Sequence, residues 1–241
     1  MIISISLLAV CCIWIAQQRL PLYYGKLTKQ TAFLLLISVW QGQGADANPT
    51  IALMDDDSGE GIYTIKEICD RVGMKAIFAV IPSRLDERKR DSLRAWQHEG
   101  FSIALHGLNH DRWSNWAYRD VVDDIEKSEK TLREWGYEMN IQYVVPPYGC
   151  NNRNIRKAIE DKGYKMITGA SIANQDPEKF QQGRIWITKS TDVQEIGNML
   201  QQAYKKRAYI IFGTHSSIAE EFSTEKTEDI LRMAIKMGFK H

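Results

Sequence analysis

Short apolar segments alternate with longer amphipathic segments along the chain from Thr50 onward. The short segments are rich in valine, isoleucine and phenylalanine, which is typical of buried strands. They predict seven strands, at residues 51–55, 75–81, 101–105, 141–145, 164–168, 184–187 and 208–212. Strands that alternate with helices indicate βα units and a parallel sheet.

The segments between the strands have apolar residues at helical spacing. Ile62, Ile65, Ile68 and Val72 follow this spacing in the first of them, and Gly73 then stands where a left-handed residue commonly ends a helix. The pattern is compatible with an open doubly wound sheet or with a barrel. In both folds ligands bind at the carboxyl ends of the strands, so we expect the functional residues there.

The beginning of the chain resembles a targeting segment. An apolar run at residues 31–40 follows Lys26 and Lys29 and leads into Ala45-Asp46-Ala47. A charged region, an apolar region and a small-x-small site are typical of a signal peptide. We therefore predict cleavage before Asn48.

Another apolar stretch, at residues 1–16, precedes that charged region. It is shorter than the roughly 20 residues that span a bilayer, but an uncleaved membrane anchor is the alternative. Residues 1–47 are thus predicted as a signal peptide or an N-terminal anchor, and residues 48–241 as one catalytic domain. The protein would be secreted or periplasmic, or anchored and facing away from the cytoplasm.

Composition narrows the range of partners. The 241 residues include 31 basic and 30 acidic ones, for a formal net charge of +1. The two signs are interspersed, so no basic run indicates a nucleic-acid partner. Only Cys69 and Cys150 lie after residue 47, which is compatible with one disulfide or with two buried thiols.

Metal-ligating residue types follow the first and third predicted strands. Asp55, Asp56 and Asp57 would repel one another unless a cation or hydrogen-bond donors compensate, although a solvated acidic turn is the simpler alternative. His106 and His110 are four residues apart, a spacing that places both imidazoles on one side of a helical turn. One carboxylate and two imidazoles leave coordination positions open, which is typical of a catalytic metal site.

Two further segments end predicted strands. Pro146-Pro147-Tyr148-Gly149 forms a rigid turn, which in a hydrolase can direct a backbone N–H at the oxygen of a tetrahedral intermediate. His215 follows the last strand, where it is either a structural histidine or a proton donor for a leaving group.

In this order, the segments resemble the polysaccharide deacetylase family, also called carbohydrate esterase family 4, which includes chitooligosaccharide deacetylases. Five segments carry the resemblance. Residues 51–58 are similar to the family motif L-T-F-D-D-G, residues 75–80 to K-A-T-F-F-V, and residues 106–110 to H-[ST]-x-x-H, with Gly107 in the second place. Residues 146–149 are similar to the end of R-P-P-Y-G, and residues 212–215 to L-x-H.

The resemblance implies an irregular (β/α)7 barrel and one divalent metal ion, with zinc as the first choice and cobalt or nickel as alternatives. By position it implies that Asp57, His106 and His110 are the metal ligands. The implied partner is an acetylated glycan, with no nucleic acid and with a membrane involved only through an uncleaved leader.

The same positions imply the catalytic groups. Asp56 corresponds to the general base, His215 to the general acid, and the backbone N–H of Tyr148 to the oxyanion donor. The expected function is a metal-dependent hydrolase that removes N-acetyl or O-acetyl groups from a polysaccharide.

The chain departs from the family pattern at the base. Val145 stands where the family has the arginine that orients the aspartate, Asp55 replaces an aromatic residue, and D-x-x-D-W has no counterpart at residues 169–176. Arg184 could orient Asp56 from another strand, or lie at the edge of the core. The alternatives to a sugar deacetylase are therefore a catalytically impaired metal- and carbohydrate-binding module and a hydrolase of non-sugar amide C–N bonds.

Overall fold

The computed structural model describes residues 48–139, 143–169 and 178–241. Eight parallel strands form one sheet in the order β6-β5-β4-β3-β2-β1-β8-β7. The strands, numbered in chain order, are β1 (Thr50–Asp55), β2 (Ala76–Val80), β3 (Ser102–Leu105), β4 (Tyr143–Val144), β5 (Lys165–Ile167), β6 (Gln181–Gln182), β7 (Ile185–Trp186) and β8 (Tyr209–Thr214).

Helices connect most of these strands and cover the outer face of the sheet. They are α1 (Ile62–Val72), α2 (Glu87–His98), α3 (Tyr118–Glu134), α4 (Arg153–Asp161), α5 (Val193–Lys205) and α6 (Thr224–Lys236). Three short 3-10 turns, at Pro82–Arg84, Trp113–Asn115 and Pro147–Gly149, follow β2, β3 and β4. No helix within the described ranges is long and apolar enough to cross a bilayer.

The predicted strands are confirmed in position, but their number was one too low. The missed strand is β6, whose two glutamines give no apolar signal, although Gln182 is buried. Five of the seven predicted strands are also shorter than expected, and β4 and β7 have only two residues each. The predicted leader, residues 1–47, lies outside the described residues, as do residues 141–142 of the fourth predicted strand.

The sheet curls into a barrel. β6 and β7 are at opposite ends of the strand order, yet only Gly183 and Arg184 separate them in sequence. Two intervening residues span at most about 11 Å, whereas eight strands laid flat would extend roughly 34 Å. The two edges must therefore approach each other, and the predicted irregular barrel is confirmed.

Alternate strand residues form two separate apolar layers. Leu53, Phe78 and other outward-facing residues pack against the helices. Met54 and Ile211 pack inside the barrel with the small Ala79 and Ala104, among others. Because successive side chains of a strand face opposite ways, the inner and outer layers interleave along each strand.

The two cysteines among the described residues do not form a disulfide with each other. Cys69, on α1, and Cys150, after the turn at Pro147–Gly149, are both free and buried. Of the two interpretations of the sequence, the buried thiols are correct.

Candidate active site

The carboxyl ends of the central strands bring the predicted site residues to one rim of the barrel. Asp55 lies opposite Thr214 in the pairing of β1 with β8, so Asp56 and His215 leave the sheet side by side. Val80 lies opposite Leu105 in the pairing of β2 with β3, and His106 follows directly. The strand register therefore determines which side chains meet.

Asp55, the first of the three consecutive aspartates, is almost completely buried. Its carboxylate accepts hydrogen bonds from the Thr214 hydroxyl at 2.7 Å, the Ser216 backbone N–H at 2.9 Å and the Ser216 hydroxyl at 2.6 Å. Burial raises its pKa to about 7, although these donors act in the opposite direction. Asp55 thus connects β1 to the loop that carries His215.

Close packing holds that loop against the segment after β1. A Cβ atom at Gly61 would lie 2.2 Å from the backbone oxygen of Ser216, and one at Gly59 would lie 2.2 Å from the Ser217 hydroxyl. The Gly59 N–H also donates to that hydroxyl at 2.9 Å. Glycine at both positions lets the His215 loop pack directly on the aspartate turn.

Asp56 forms a buried ion pair with Arg184. Nη1 of Arg184 donates to Oδ1 of Asp56 at 2.6 Å, and both residues are nearly inaccessible to solvent, at 3 % and 1 % exposure. The structure decides between the two roles that the sequence left open for Arg184. In the family pattern, an arginine at the position of Val145 would contact this aspartate. Here the guanidinium of Arg184, next to β7, makes that contact instead.

Two histidines complete the surroundings of Asp56. Nε2 of His106 and Nε2 of His215 each lie 3.8 Å from Oδ2 of Asp56. Burial alone would raise the pKa of Asp56, but Arg184 and the two histidines outweigh it and lower the pKa below its ordinary value. Asp56 is therefore ionised at neutral pH and can accept a proton.

Asp57, His106 and His110 converge on one point. Their candidate ligand atoms lie within 4.8 Å of one another. Oδ1 of Asp57 is 3.6 Å from Nε2 of His106 and 3.4 Å from Nε2 of His110. One carboxylate and two imidazoles are a donor set that suits zinc and similar ions and leaves positions open for water and substrate.

The segment from His106 to His110 is not the helical turn that its spacing predicted. Gly107 has φ +75° and His110 has φ +64°, both in the left-handed region. A Cβ at Gly107 would approach the Pro147 side chain to 2.9 Å, so a larger residue at this position would require a shift of the turn. Two left-handed residues, rather than helical periodicity, direct both imidazoles inward.

The metal-facing nitrogen of His106 is defined by its other ring nitrogen. Nδ1 of His106 lies 2.7 Å from the carbonyl oxygen of Val145, to which it can donate only in the tautomer that leaves Nε2 without a proton. Burial lowers the pKa of His106, which favours the neutral ring. Although Val145 lacks the family's guanidinium, its backbone orients a predicted ligand.

Asp124 holds the histidine loop from outside. This buried residue of α3 accepts a hydrogen bond from the backbone N–H of Leu108 at 2.8 Å and one from the Ser128 hydroxyl at 3.4 Å. Leu108 lies midway between the two histidines. The contact fixes the path of the loop, and the sequence offered no signal for it beyond one carboxylate on a helix.

Arg84 lies at the open side of the three-residue cluster. Its Nη1 donates to Oδ1 of Asp57 at 3.2 Å, and its Nη2 is 3.4 Å from Nδ1 of His110. A cation thus lies against two of the predicted ligands. This contact is itself consistent with a site whose charge favours a positive ion.

Tyr148 stands at the rim with its ring 55 % exposed. The backbone has φ +56°, a strained conformation for a tyrosine, between Pro147 and Gly149. Its ring centroid is 4.5 Å from that of His110. The strained turn thus places the Tyr148 ring next to His110 of the candidate metal-binding cluster.

His215 lies between a tryptophan and two carboxylates. Its ring stacks on Trp186 with centroids 4.4 Å apart, and its Nδ1 is 3.4 Å from the carboxylate of Glu221. The guanidinium of Arg184 lies 4.3 Å from the Trp186 ring centroid. Trp186 therefore contacts both the partner of Asp56 and the predicted acid.

The packing around Trp186 depends on a glycine of β8. A Cβ atom at Gly213 would lie 3.1 Å from the Trp186 ring and 3.3 Å from the side chain of Arg184. Sequence reasoning missed Trp186 because only the register of β7 against β8 brings it beside His215.

Comparisons with known proteins identify the family of the chain. A sequence model described as polysaccharide deacetylase matches residues 43–167. A search of the curated proteins found no match. The matched segment includes the predicted metal ligands and Tyr148 but ends before Arg184 and His215.

Solved structures share the fold at low sequence identity. A chitin deacetylase from Colletotrichum lindemuthianum has a TM-score of 0.62 at 15% identity, over 80% of this chain and 84% of that one. A family 4 acetyl xylan esterase from Clostridium thermocellum, in complex with a cobalt ion, has a TM-score of 0.58 at 14% identity, over 79% and 86%. A family 4 pseudoenzyme from Bacillus anthracis has a TM-score of 0.55 at 13% identity, over 80% and 63%.

The family model covers more than half of the chain, and the neighbouring structures have the same barrel. The chain therefore belongs to the polysaccharide deacetylase family.

Proposed function

We propose that this protein is a metal-dependent hydrolase that removes acetyl groups from an acetylated polysaccharide. The observation that carries the proposal is the convergence of Asp57, His106 and His110 within 4.8 Å, beside the ionised Asp56. A cation site next to a proton acceptor is the minimum that hydrolysis of an acetamide by water requires.

The described residues fit a divalent ion. Asp57, His106 and His110 would hold it, and the hydrogen bond from His106 to the Val145 carbonyl supports ligation through Nε2. When bound, such an ion polarises the acetyl carbonyl and lowers the pKa of a water molecule. Zinc is the first choice for this donor set, with cobalt or nickel as alternatives.

Asp56 is proposed as the general base. Its low pKa keeps it ionised, and the buried guanidinium of Arg184 holds one carboxylate oxygen, which leaves the other oxygen near His106 and His215. A positioned base contributes roughly 10²–10⁴-fold to a hydrolysis rate. Asp56 would accept a proton from the attacking water.

His215 is proposed as the general acid, and the Tyr148 N–H as the oxyanion donor. The stack on Trp186 and the neighbouring Glu221 hold the His215 ring in place. His215 would protonate the departing nitrogen of an amide, whereas the oxygen of an ester leaves with less assistance. The strained turn at Tyr148 supports a fixed direction for its backbone N–H.

The contact between Arg184 and Asp56 favours an enzyme over a binding module. The absence of an arginine at Val145 was the reason to expect impaired catalysis. Since a guanidinium lies 2.6 Å from Asp56, the base has its charge partner, supplied by another strand. Export through the residue 1–47 leader is proposed with this function, because a polysaccharide substrate is usually outside the cytoplasm.

Acetate release tests the proposal. The full chain, stripped with EDTA and then given Zn²⁺ or Co²⁺, is incubated with acetylated chitooligosaccharides, acetylated xylan and peptidoglycan fragments. We expect metal-dependent acetate release, and at least a ~100-fold loss in Asp56→Asn. Stoichiometric ion binding without acetate release from any substrate would instead establish a binding module. Release that continues after the metal is removed would contradict metal dependence.

A further inference from the structure

Two arginines flank the outer side of the proposed metal site. Arg84 ends the turn after β2 and contacts His110, whose ring contacts that of Tyr148. On the other side of this ring pair, the guanidinium of Arg112 lies 4.2 Å from the Tyr148 ring centroid. Arg84, His110, Tyr148 and Arg112 thus form a continuous strip, called here the cationic rim.

The positive charges of the cationic rim are poorly compensated. Within the described residues, no carboxylate lies within 4.0 Å of the Arg112 guanidinium. Among the same residues, Asp57 has the only carboxylate within 4.0 Å of the Arg84 guanidinium. A divalent ion on Asp57 would carry twice the charge of that carboxylate. Arg84 and Arg112 then both face solvent beside a site with surplus positive charge.

The opposite side of the site has the opposite charge. There His215 lies 3.4 Å from the exposed carboxylate of Glu221. The amine that leaves beside His215 becomes an ammonium ion, which a carboxylate favours. The two sides of the site therefore have opposite charge. The side that receives the leaving amine is anionic, and the side at Tyr148 is cationic.

We propose that the cationic rim binds a carboxylate of the substrate, so that the preferred glycan has an acidic group on the acetylated sugar or on its neighbour. Guanidinium groups match carboxylates in geometry, and the exposed ring of Tyr148 offers an apolar face to the sugar between them. This inference rests on the proposed function, because it assigns the orientation of the substrate from the roles of His215 and the metal site.

Two disaccharides that differ by one carboxylate test the inference. N,N′-diacetylchitobiose is neutral, whereas the disaccharide of N-acetylglucosamine and N-acetylmuramic acid adds a lactyl carboxylate. With the zinc-loaded full chain at low salt, we expect kcat/KM for acetate release to be at least ~10-fold higher for the acidic disaccharide. The preference should decrease as salt is added, because the rim is exposed.

Three substitutions distinguish an effect of the cationic rim from an effect of the net charge of the protein. Arg84→Gln and Arg112→Gln should each reduce the ratio of the two kcat/KM values by ~10-fold. Arg88→Gln is the matched control, because Arg88 is exposed on α2 and pairs with Glu60; it should leave the ratio unchanged. Zinc content is measured in each variant, since Arg84 also contacts Asp57.

The outcomes distinguish this inference from the proposed function. If neither disaccharide releases acetate, the proposed function fails, and calorimetric binding of the same two disaccharides to the zinc-loaded protein still tests the rim. Equal kcat/KM values, or equal affinities in that case, would overturn the inference. The inference would also be overturned if Arg112→Gln lowered kcat/KM, or the affinity, by the same factor for both disaccharides.

Discussion

The two halves of the site are built in different ways. The proposed metal-binding half, called here the metal half, follows β1 and β3, and its candidate ligands lie in short motifs, Asp57 in one and His106 with His110 in the other. The proton-transfer half depends on contacts between distant residues, since Arg184 is 128 residues from Asp56. The family model matches the segment with the first half and with Asp56, but it ends before Arg184 and His215.

The difference follows from what each half must do. Ligation needs particular atoms about 2 Å from one ion, so residue types and their local spacing are restricted. A base needs only a cation at hydrogen-bond distance, and a guanidinium can approach from any neighbouring strand. A missing arginine therefore says less about activity than a missing ligand.

Removal of a ligand should have the largest effect. In His106→Ala we expect zinc content to fall below stoichiometric levels and acetate release to fall by more than ~100-fold, because even changes outside the ligand shell cause 10–100-fold losses. Elemental analysis and an acetate assay measure both. His98→Ala on α2 is the control, since His98 is exposed and precedes the amino end of β3, whereas His106 follows the carboxyl end of that strand. Full zinc content in His106→Ala would contradict the ligand assignment.

Loss of Arg184 should leave the metal half intact while it impairs the base. In Arg184→Met we expect bound zinc to remain while kcat falls by ~100-fold, within the range for a general base. Only the two histidines then oppose the effect of burial on Asp56, so its pKa rises and the acid limb of the kcat/KM profile moves to higher pH.

Two controls accompany that variant. Removing one partner of a buried ion pair destabilises a protein by about 3–5 kcal/mol, so folding is checked by circular dichroism. Arg184→Lys keeps the charge and should retain more activity than Arg184→Met. An unchanged pH profile in Arg184→Met would mean that Arg184 does not orient the base.

Trp186 should have a smaller effect, confined to the proton-transfer half. Trp186→Leu removes the ring between Arg184 and His215, and we expect kcat for amide substrates to fall by ~10-fold with zinc content unchanged. Trp186→Phe retains a stacking surface and serves as the conservative comparison. Equal losses for amide and ester substrates would contradict an effect through the acid, because esters need less protonation of the leaving group.

Asp55 should produce the smallest effect, visible in stability. Its pKa is raised to about 7 in the folded chain from 3.8, so the folded state binds more protons than the unfolded state between these values. Its contribution to stability is therefore full below pH 3.8 and decreases as pH rises towards 7.

Asp55→Asn removes this titration. In EDTA, the free energy of unfolding of Asp55→Asn relative to the unsubstituted protein should increase between pH 4 and pH 7, as measured by urea unfolding. A difference that does not vary with pH would show that Asp55 titrates normally.

Much of the fold was predictable from the sequence because each strand and helix has its own apolar period. The strand that was missed, β6, consists of two glutamines, which have no such period. Within the site, the left-handed turns at Gly107 and His110 replaced the expected helical turn. Residue spacing describes regular structure and does not describe loops whose backbone departs from it.

The sequence by itself determined the residue types that can ligate a metal and the strands that carry them, because ligand chemistry and strand periodicity are local properties. Only the tertiary structure decided that Arg184 pairs with Asp56, that Trp186 lies between Arg184 and His215, and that Asp55 is enclosed by the His215 loop. These contacts depend on strand register and on the strand order, in which β8 lies between β1 and β7. Both result from packing of the whole barrel, which no short segment encodes.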